Sequence, residues 1–176
     1  MNIVLIGYRG TGKSVIGGLL ARRLGMPYVG MDAAIVARAG MPIPEIVEKS
    51  GWPGFRDMES GVARELAGRD RIIIDTGGGI IERDENMEVL ERNALVVWLQ
   101  ASVATIVSRI QGDTERPSLV AGKTFTEEVA EVLERRTPKY RSAAHCTIET
   151  DSLTPEQIAA MIIDIWHKKE QDTATP

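Results

Sequence analysis

The sequence predicts an α/β fold: a three-layer α/β/α sandwich, one domain over 1–176, around a central parallel sheet of five strands. Three observations predict it. Apolar runs fill the segments 2–6, 71–74 and 94–99, unbroken at 3–6, 72–74 and 95–98, the pattern of strands buried on both faces. Helical patterns lie between these runs, so crossover helices join parallel strands. A glycine-rich stretch, from Gly7 to Gly12, separates the first strand from the first helix.

In chain order, residues 2–6 read as the opening strand. Residues 13–24 follow as a helix, with Val15, Ile16, Leu19 and Leu20 on one stripe and Gly25 as its stop. Further strands are expected at 28–31, 71–74 and 94–99, with a weaker fifth at 146–148. Helices are expected at 32–39, 43–50, 54–67, 86–92, 102–109 and 126–136. A last helix, 155–167, opens on Thr154-Pro155-Glu156-Gln157, a capping box with proline at the first helical position. The tail, 168–176, is expected to fray. Two stretches fit less well: 40–55, which carries Pro42, Pro44, Pro53 and several glycines, and 111–125, polar and containing Pro117. Loops of such length are commonly functional.

Apolar residues make up 43% and charged residues 26% of 176, ordinary for one globular domain with a full core. The net charge of −4 argues against nucleic acid or an anionic membrane as the main partner. No apolar run approaches the ~20 residues of a membrane span, and no leader is read in the first residues, so a cytoplasmic monomer is expected. Cys146, the single cysteine, is expected to be a buried inert thiol. His145 and His167 carry no metal-binding pattern, and Glu59 and Arg64 read as solvated helix residues.

Gly7-Tyr8-Arg9-Gly10-Thr11-Gly12-Lys13-Ser14 satisfies G-x-x-x-x-G-K-[ST] in full. Its glycines let successive backbone N–H groups converge on phosphate oxygens, and the helix that follows adds its positive end. Lys13 can then reach the β and γ phosphates, and Ser14 can ligate Mg²⁺. A chance match in a chain this long is on the order of one in a hundred, and the strand–loop–helix context lowers it further. Gly10, Thr11, Gly12, Lys13, Ser14 and Val15 are therefore the candidate ATP-binding set. Asp75-Thr76-Gly77-Gly78 matches the D-x-x-G of GTPase switches, but N-K-x-D is absent, and a small kinase fits better.

Further features follow along the chain. Asp32 stands after the second strand, and Gly77-Gly78-Gly79 after the third, where ligands bind in open parallel sheets. Arg56, Arg116 and Arg141 occur in Gly54-Phe55-Arg56, Glu115-Arg116-Pro117 and Lys139-Tyr140-Arg141. In this order, with the phosphate loop, the set resembles the shikimate kinases, phosphate-loop enzymes of the nucleoside-monophosphate-kinase-like group. The resemblance runs from Ile3 to about Trp166.

It implies ATP-dependent phosphorylation of shikimate to 3-phosphoshikimate with Mg²⁺, a substrate-binding region at 32–60 and a mobile lid at 111–125. By the same resemblance, Lys13, Asp32 and Arg116 are catalytic. Asp32 would orient or deprotonate the attacking hydroxyl, although it could instead only cap its helix. Arg56 and Arg141 would bind the substrate carboxylate, with Gly77, Gly78 and Gly79 beside it. Arg116 would reach the transferring phosphoryl group from the lid, and Arg109 would either lie over the adenine or be a surface charge. A kinase for another small hydroxy acid such as gluconate, or a nucleotide-binding module with impaired catalysis, are the competing readings.

One departure stands out. Shikimate kinases usually carry two aspartates one residue apart after the second strand. Asp32 matches one of them, and Gly30 replaces the other, which is associated with the Mg²⁺ shell. Asp75, at the end of Ile72-Ile73-Ile74, is a candidate to supply that charge through water; its alternative is to cap the next turn.

Overall fold

A computed structural model describes residues 1–110 and 124–174. Five parallel strands, β1 (Asn2–Ile6), β2 (Tyr28–Gly30), β3 (Ile73–Asp75), β4 (Ala94–Gln100) and β5 (Cys146–Glu149), form one sheet in the order β2-β3-β1-β4-β5. The helices are α1 (Lys13–Leu24), α2 (Met31–Ala39), α3 (Ile43–Ala67), α4 (Asp84–Leu90), α5 (Val103–Ile110), α6 (Phe125–Ala143) and α7 (Pro155–Ala174).

Strand alternation divides the core into two layers. Ile3 and Leu5 of β1 and Leu95, Val97 and Leu99 of β4 pack against Ile16 and Leu20 of α1 and Ile158, Ile162 and Trp166 of α7. Val4 and Ile6, with Val96 and Trp98, face Met31 and Ile35 of α2, Phe55 and Val62 of α3, and Tyr140 of α6. Every β1 residue is buried because both faces are covered, which is why the strand is apolar from Ile3 to Ile6; the Asn2 side chain is satisfied by the Arg69 carbonyl and the Ile72 amide.

Boundaries moved where tertiary contacts decide them. The two helices expected at 43–50 and 54–67 are one element, α3, broken at Gly51 (φ 66°, ψ 175°). β3 begins two residues later than expected and takes in Asp75, because Asp75 pairs with Leu5 and Gly30 on its two neighbours. α6 runs past Arg136 and through Pro138 to Ala143. Arg135, Arg136 and Lys139 all bond to Glu82, and Tyr140 is buried, so contacts beyond the helix hold this segment. The tail does not fray at 168: α7 continues to Ala174. Glu170 accepts a bond from Arg71 and lies 3.6 Å from the N-terminal ammonium, and the Trp166 indole donates to the Met1 carbonyl, which ties this end down. The capping box opening α7 is present, with Thr154 and Gln157 bonding reciprocally. Among the described residues no helix is long and apolar enough to cross a membrane.

Candidate active site

The phosphate loop leaves the central strand at Ile6 and ends at the first turn of α1, so it lies at the carboxyl edge of the sheet. Gly7 (φ 140°) presses against the Leu99 carbonyl, where any Cβ would collide, and Gly12 (φ 94°) holds the left-handed turn that opens α1. Thr11 donates its hydroxyl to the Tyr8 carbonyl at 2.8 Å. Lys13 is buried and curls back over the loop, its ammonium 2.9 Å from the Gly7 carbonyl and 3.0 Å from that of Tyr8. Val15, one turn on, is exposed.

Gly30 and Asp75 are directly opposite each other on β2 and β3. The Asp75 carboxylate therefore stands beside the residue that lacks a side chain. It accepts the Ser14 hydroxyl at 2.6 Å and the Tyr28 hydroxyl at 2.8 Å, both on Oδ2, instead of capping the following turn. Burial, and then the charge of Asp75, push the Tyr28 phenol up to about 12, so it stays a proton donor at neutral pH. A Ser14 hydroxyl that donates its proton to Asp75 keeps its oxygen lone pairs for a cation. Hydroxyl and carboxylate oxygens suit Mg²⁺, so this corner fits the metal that the loop motif implies.

Asp32 lies in the first turn of α2, where the helix dipole favours a carboxylate, but Gly30 is the N-cap. The capping alternative for Asp32 is thereby removed. Asp32 lines the same cleft as the phosphate loop, a cavity of about 440 Å³ that also takes in Lys13, Ser14, Asp75 and Gly78.

Each of the three glycines makes a different close approach. A Cβ on Gly77 would lie 2.8 Å from Glu59 Oε1 and 3.0 Å from Asp32 Oδ1. On Gly78 it would lie 3.3 Å from the Arg9 amide, against the phosphate loop. On Gly79 it would fall inside the Arg56 guanidinium. The triple glycine thus lets the donor loop, Asp32 and Arg56 crowd around one turn.

Arg56 stacks near Trp52 and Phe55, 5.5 and 5.3 Å from their ring centres, and pairs with Glu59 at 2.5 Å. Glu59 corrects the expectation of a solvated residue, since it is wholly buried. Burial raises its carboxyl above the usual range, and the Arg56, Arg136 and Arg83 charges oppose that rise. Arg64, by contrast, is exposed as expected.

By the resemblance, Arg141 would share the substrate carboxylate with Arg56. It is exposed, whereas Arg136, five residues earlier, is buried and donates to the Gly78 carbonyl at 3.2 Å and to Glu82 at 2.7 Å. Five residues turn a helix by roughly 140° beyond a full revolution, so the two guanidinium groups leave α6 in different directions. Tyr140 donates to the same Gly78 carbonyl and stacks on Trp98.

Arg109 is neither a free surface charge nor remote from the loop. It donates to the Gly10 carbonyl at 3.1 Å and to the Thr150 carbonyl at 3.1 Å, bridging the phosphate loop to the segment after β5. Of the lid expected at 111–125, residues 111–123, Arg116 among them, lie outside the described residues, while Thr124 caps α6 and Phe125 opens it. Cys146 is half-buried, and burial raises its thiol, consistent with an inert side chain. His145 uses Nδ1 to accept the Val96 amide of the sheet. Among the described residues no cluster of metal-ligating side chains occurs.

Sequence reading missed Glu59, Arg136 and Tyr28. Two of them carried a signal. Glu59 stands in register with the buried Phe55, Val62 and Leu66, and Arg136 with Val129, Val132 and Tyr140. A charge on the apolar stripe of a helix is buried or paired.

The family model for shikimate kinase matches residues 9–166. The chain belongs to the shikimate kinase family. A shikimate kinase from Thermodesulfovibrio yellowstonii is 41% identical to it over 167 residues, covering 95% of each chain. The solved structure of a shikimate kinase from Acinetobacter baumannii in complex with shikimate superposes with a TM-score of 0.90 at 35% identity, covering 96% of this chain and 93% of that one. A gluconokinase from Sinorhizobium meliloti, 16% identical with a TM-score of 0.55, shares the fold alone. The chain is thus an enzyme of the phosphotransferase class, and its phosphate loop and parallel sheet are those of a shikimate kinase.

Proposed function

We propose that this chain transfers the γ-phosphoryl group of ATP to a hydroxyl of shikimate, giving ADP and 3-phosphoshikimate. The observation that carries the reading is a single cleft lined by both Lys13–Ser14 and Asp32, with Arg56 and Arg136 grouped around the glycine turn beside it.

ATP lies on the loop 10–15, its phosphates received by backbone N–H groups and by the Lys13 ammonium, which exchanges its loop carbonyls for phosphate oxygens. Ser14, and Asp75 through water, would hold Mg²⁺, which would neutralise charge on the phosphates. Arg109 flanks the adenine from its seat between Gly10 and Thr150. Arg116 approaches the transferring group from the lid.

On the acceptor side, the Asp32 carboxylate orients the attacking hydroxyl and takes its proton as the oxygen–phosphorus bond forms. Arg56 and Arg136 receive the substrate carboxylate, a role the sequence pattern gave to Arg141. Gly77, Gly78 and Gly79 bring backbone against the same substrate. Lys13, Asp32 and Arg116 are the catalytic set; phosphoryl transfer depends mainly on such positioning and charge neutralisation. The reading keeps a cytoplasmic monomer with small-molecule partners, and neither nucleic acid nor membrane.

The test is ADP release with ATP and Mg²⁺ in the presence of shikimate, gluconate or nucleoside monophosphates. Turnover with shikimate alone is expected. Faster turnover with gluconate, or with none of the three, overturns the reading.

A further inference from the structure

We propose that Tyr28 is a positioning residue for the metal-facing carboxylate: its hydroxyl, together with Ser14, fixes Asp75 in the space left by the missing side chain at Gly30. The inference rests on the reading of Ser14 and Asp75 as the Mg²⁺ pair.

Three independent contacts converge on the tyrosine. The first is register. Tyr28 lies opposite Ile73, and Gly30 opposite Asp75, so the side chains of Tyr28 and Asp75 and the bare position at Gly30 share one face of the sheet, the α1 face. The second is the path of the ring. A Cβ on Gly30 would lie 3.5 Å from the Tyr28 hydroxyl and 3.9 Å from Cε1, so the ring runs forward along its own strand and over residue 30. The third is α1. A Cβ on Gly17 would fall 2.6 Å from Tyr28 Cε2 and 2.9 Å from Cδ2, so this phenol can lie as it does only because the helix offers bare backbone there.

Two glycines on different elements therefore frame one tyrosine, and its hydroxyl ends 2.8 Å from Asp75 Oδ2. Ser14 donates to the same oxygen at 2.6 Å. Two donors from different elements leave the carboxylate little rotational freedom, and both Tyr28 and Asp75 line the nucleotide cleft. An aspartate at 30 would carry its own carboxylate. Here the carboxylate sits one strand away and takes its orientation from the edge strand through Tyr28. Partners of this kind commonly tune metal affinity by about 10–100-fold.

The test is Mn²⁺ affinity of the ADP complex of the full chain, by electron paramagnetic resonance titration, beside the metal-free affinity for ADP. Tyr28→Phe is expected to weaken Mn²⁺ by roughly tenfold while metal-free ADP binding and melting temperature hold. Asp75→Asn is expected to weaken it further, and Tyr28→Phe added to Asp75→Asn to cost nothing more, because the hydroxyl acts through the carboxylate. Gly30→Asp in the Asp75→Asn background is expected to restore affinity. If Tyr28→Phe leaves Mn²⁺ affinity unchanged while Asp75→Asn weakens it, the role of Tyr28 is overturned and the Asp75 reading stands. If Asp75→Asn changes nothing, it is the metal reading of Asp75 that fails.

Discussion

Replacing Arg56 with Met isolates the energetics of the acceptor side. Met keeps most of the apolar stem against Trp52 and Phe55 but removes the cation from a Glu59 that is wholly buried. Breaking a buried pair from one side costs about 3–5 kcal/mol. Arg136 and Arg83 still act on Glu59 from a distance, so the lower end applies. At about 2–4 °C per kcal/mol for a chain of this size, the melting temperature falls by roughly 6–12 °C at neutral pH. The sign of the pH dependence follows from the raised Glu59 carboxyl. Below the unfolded value of 4.5 the group is protonated in both states and the loss of Arg56 costs least. As pH rises through the folded value, which lies higher still without Arg56, the variant must bury a poorly compensated charge or hold a proton, and its stability declines. Thermal melts of parent and variant from pH 5 to 8 should therefore diverge with rising pH, and Glu59→Gln added to Arg56→Met should bring them together. A gap of constant size across that range, or no recovery in the double variant, refutes the account.

Arg136→Met should raise KM for shikimate at least tenfold while KM for ATP stays within twofold, and Arg141→Met should move neither; the cost of a lost charged bond, about 1.5–3 kcal/mol, sets the first figure. Lys13→Met should lower kcat on the order of 10²–10³-fold, as loss of a preorganised donor does elsewhere, read from steady-state ADP release. Gly79→Ala should reduce shikimate affinity without altering ADP binding, since its Cβ occupies the Arg56 guanidinium; calorimetric titration with each ligand checks it. The Glu82 carboxyl is held below its usual range: burial pushes it up, but bonds from Arg136 and Arg135 outweigh that. It stabilises the fold above the unfolded value of 4.5 and loses this as pH falls through the folded value, so Glu82→Gln should flatten the acid limb of the stability curve.

Much of this was legible because the chemistry is local in sequence. The phosphate loop needs a contiguous strand, turn and helix, so the residues 7–14 announce it, and α1 begins and ends at glycines that the pattern names. The three inner strands were the clearest because a parallel strand buried on both faces is apolar almost throughout, whereas the edge strands β2 and β5 are partly exposed and gave weaker signals. The resemblance located Asp32, Arg56 and the triple glycine, all of which the fold brings together. It also named Arg141, which is exposed, whereas Arg136, five residues earlier on α6, bonds to the Gly78 carbonyl; helical phase sends the two in different directions.

Sequence alone determined the fold class, the donor loop and the family: the first two rest on residue types at short spacings, the third on an ordered set of motifs along the chain. Tertiary structure alone decided the partners of buried charge. That Glu59 pairs with Arg56, that Arg136 reaches Gly78, and that Asp75 stands across from Gly30 under the Tyr28 hydroxyl all depend on strand register and helix phase. Those are set by packing both core layers at once, and no window of the chain encodes them.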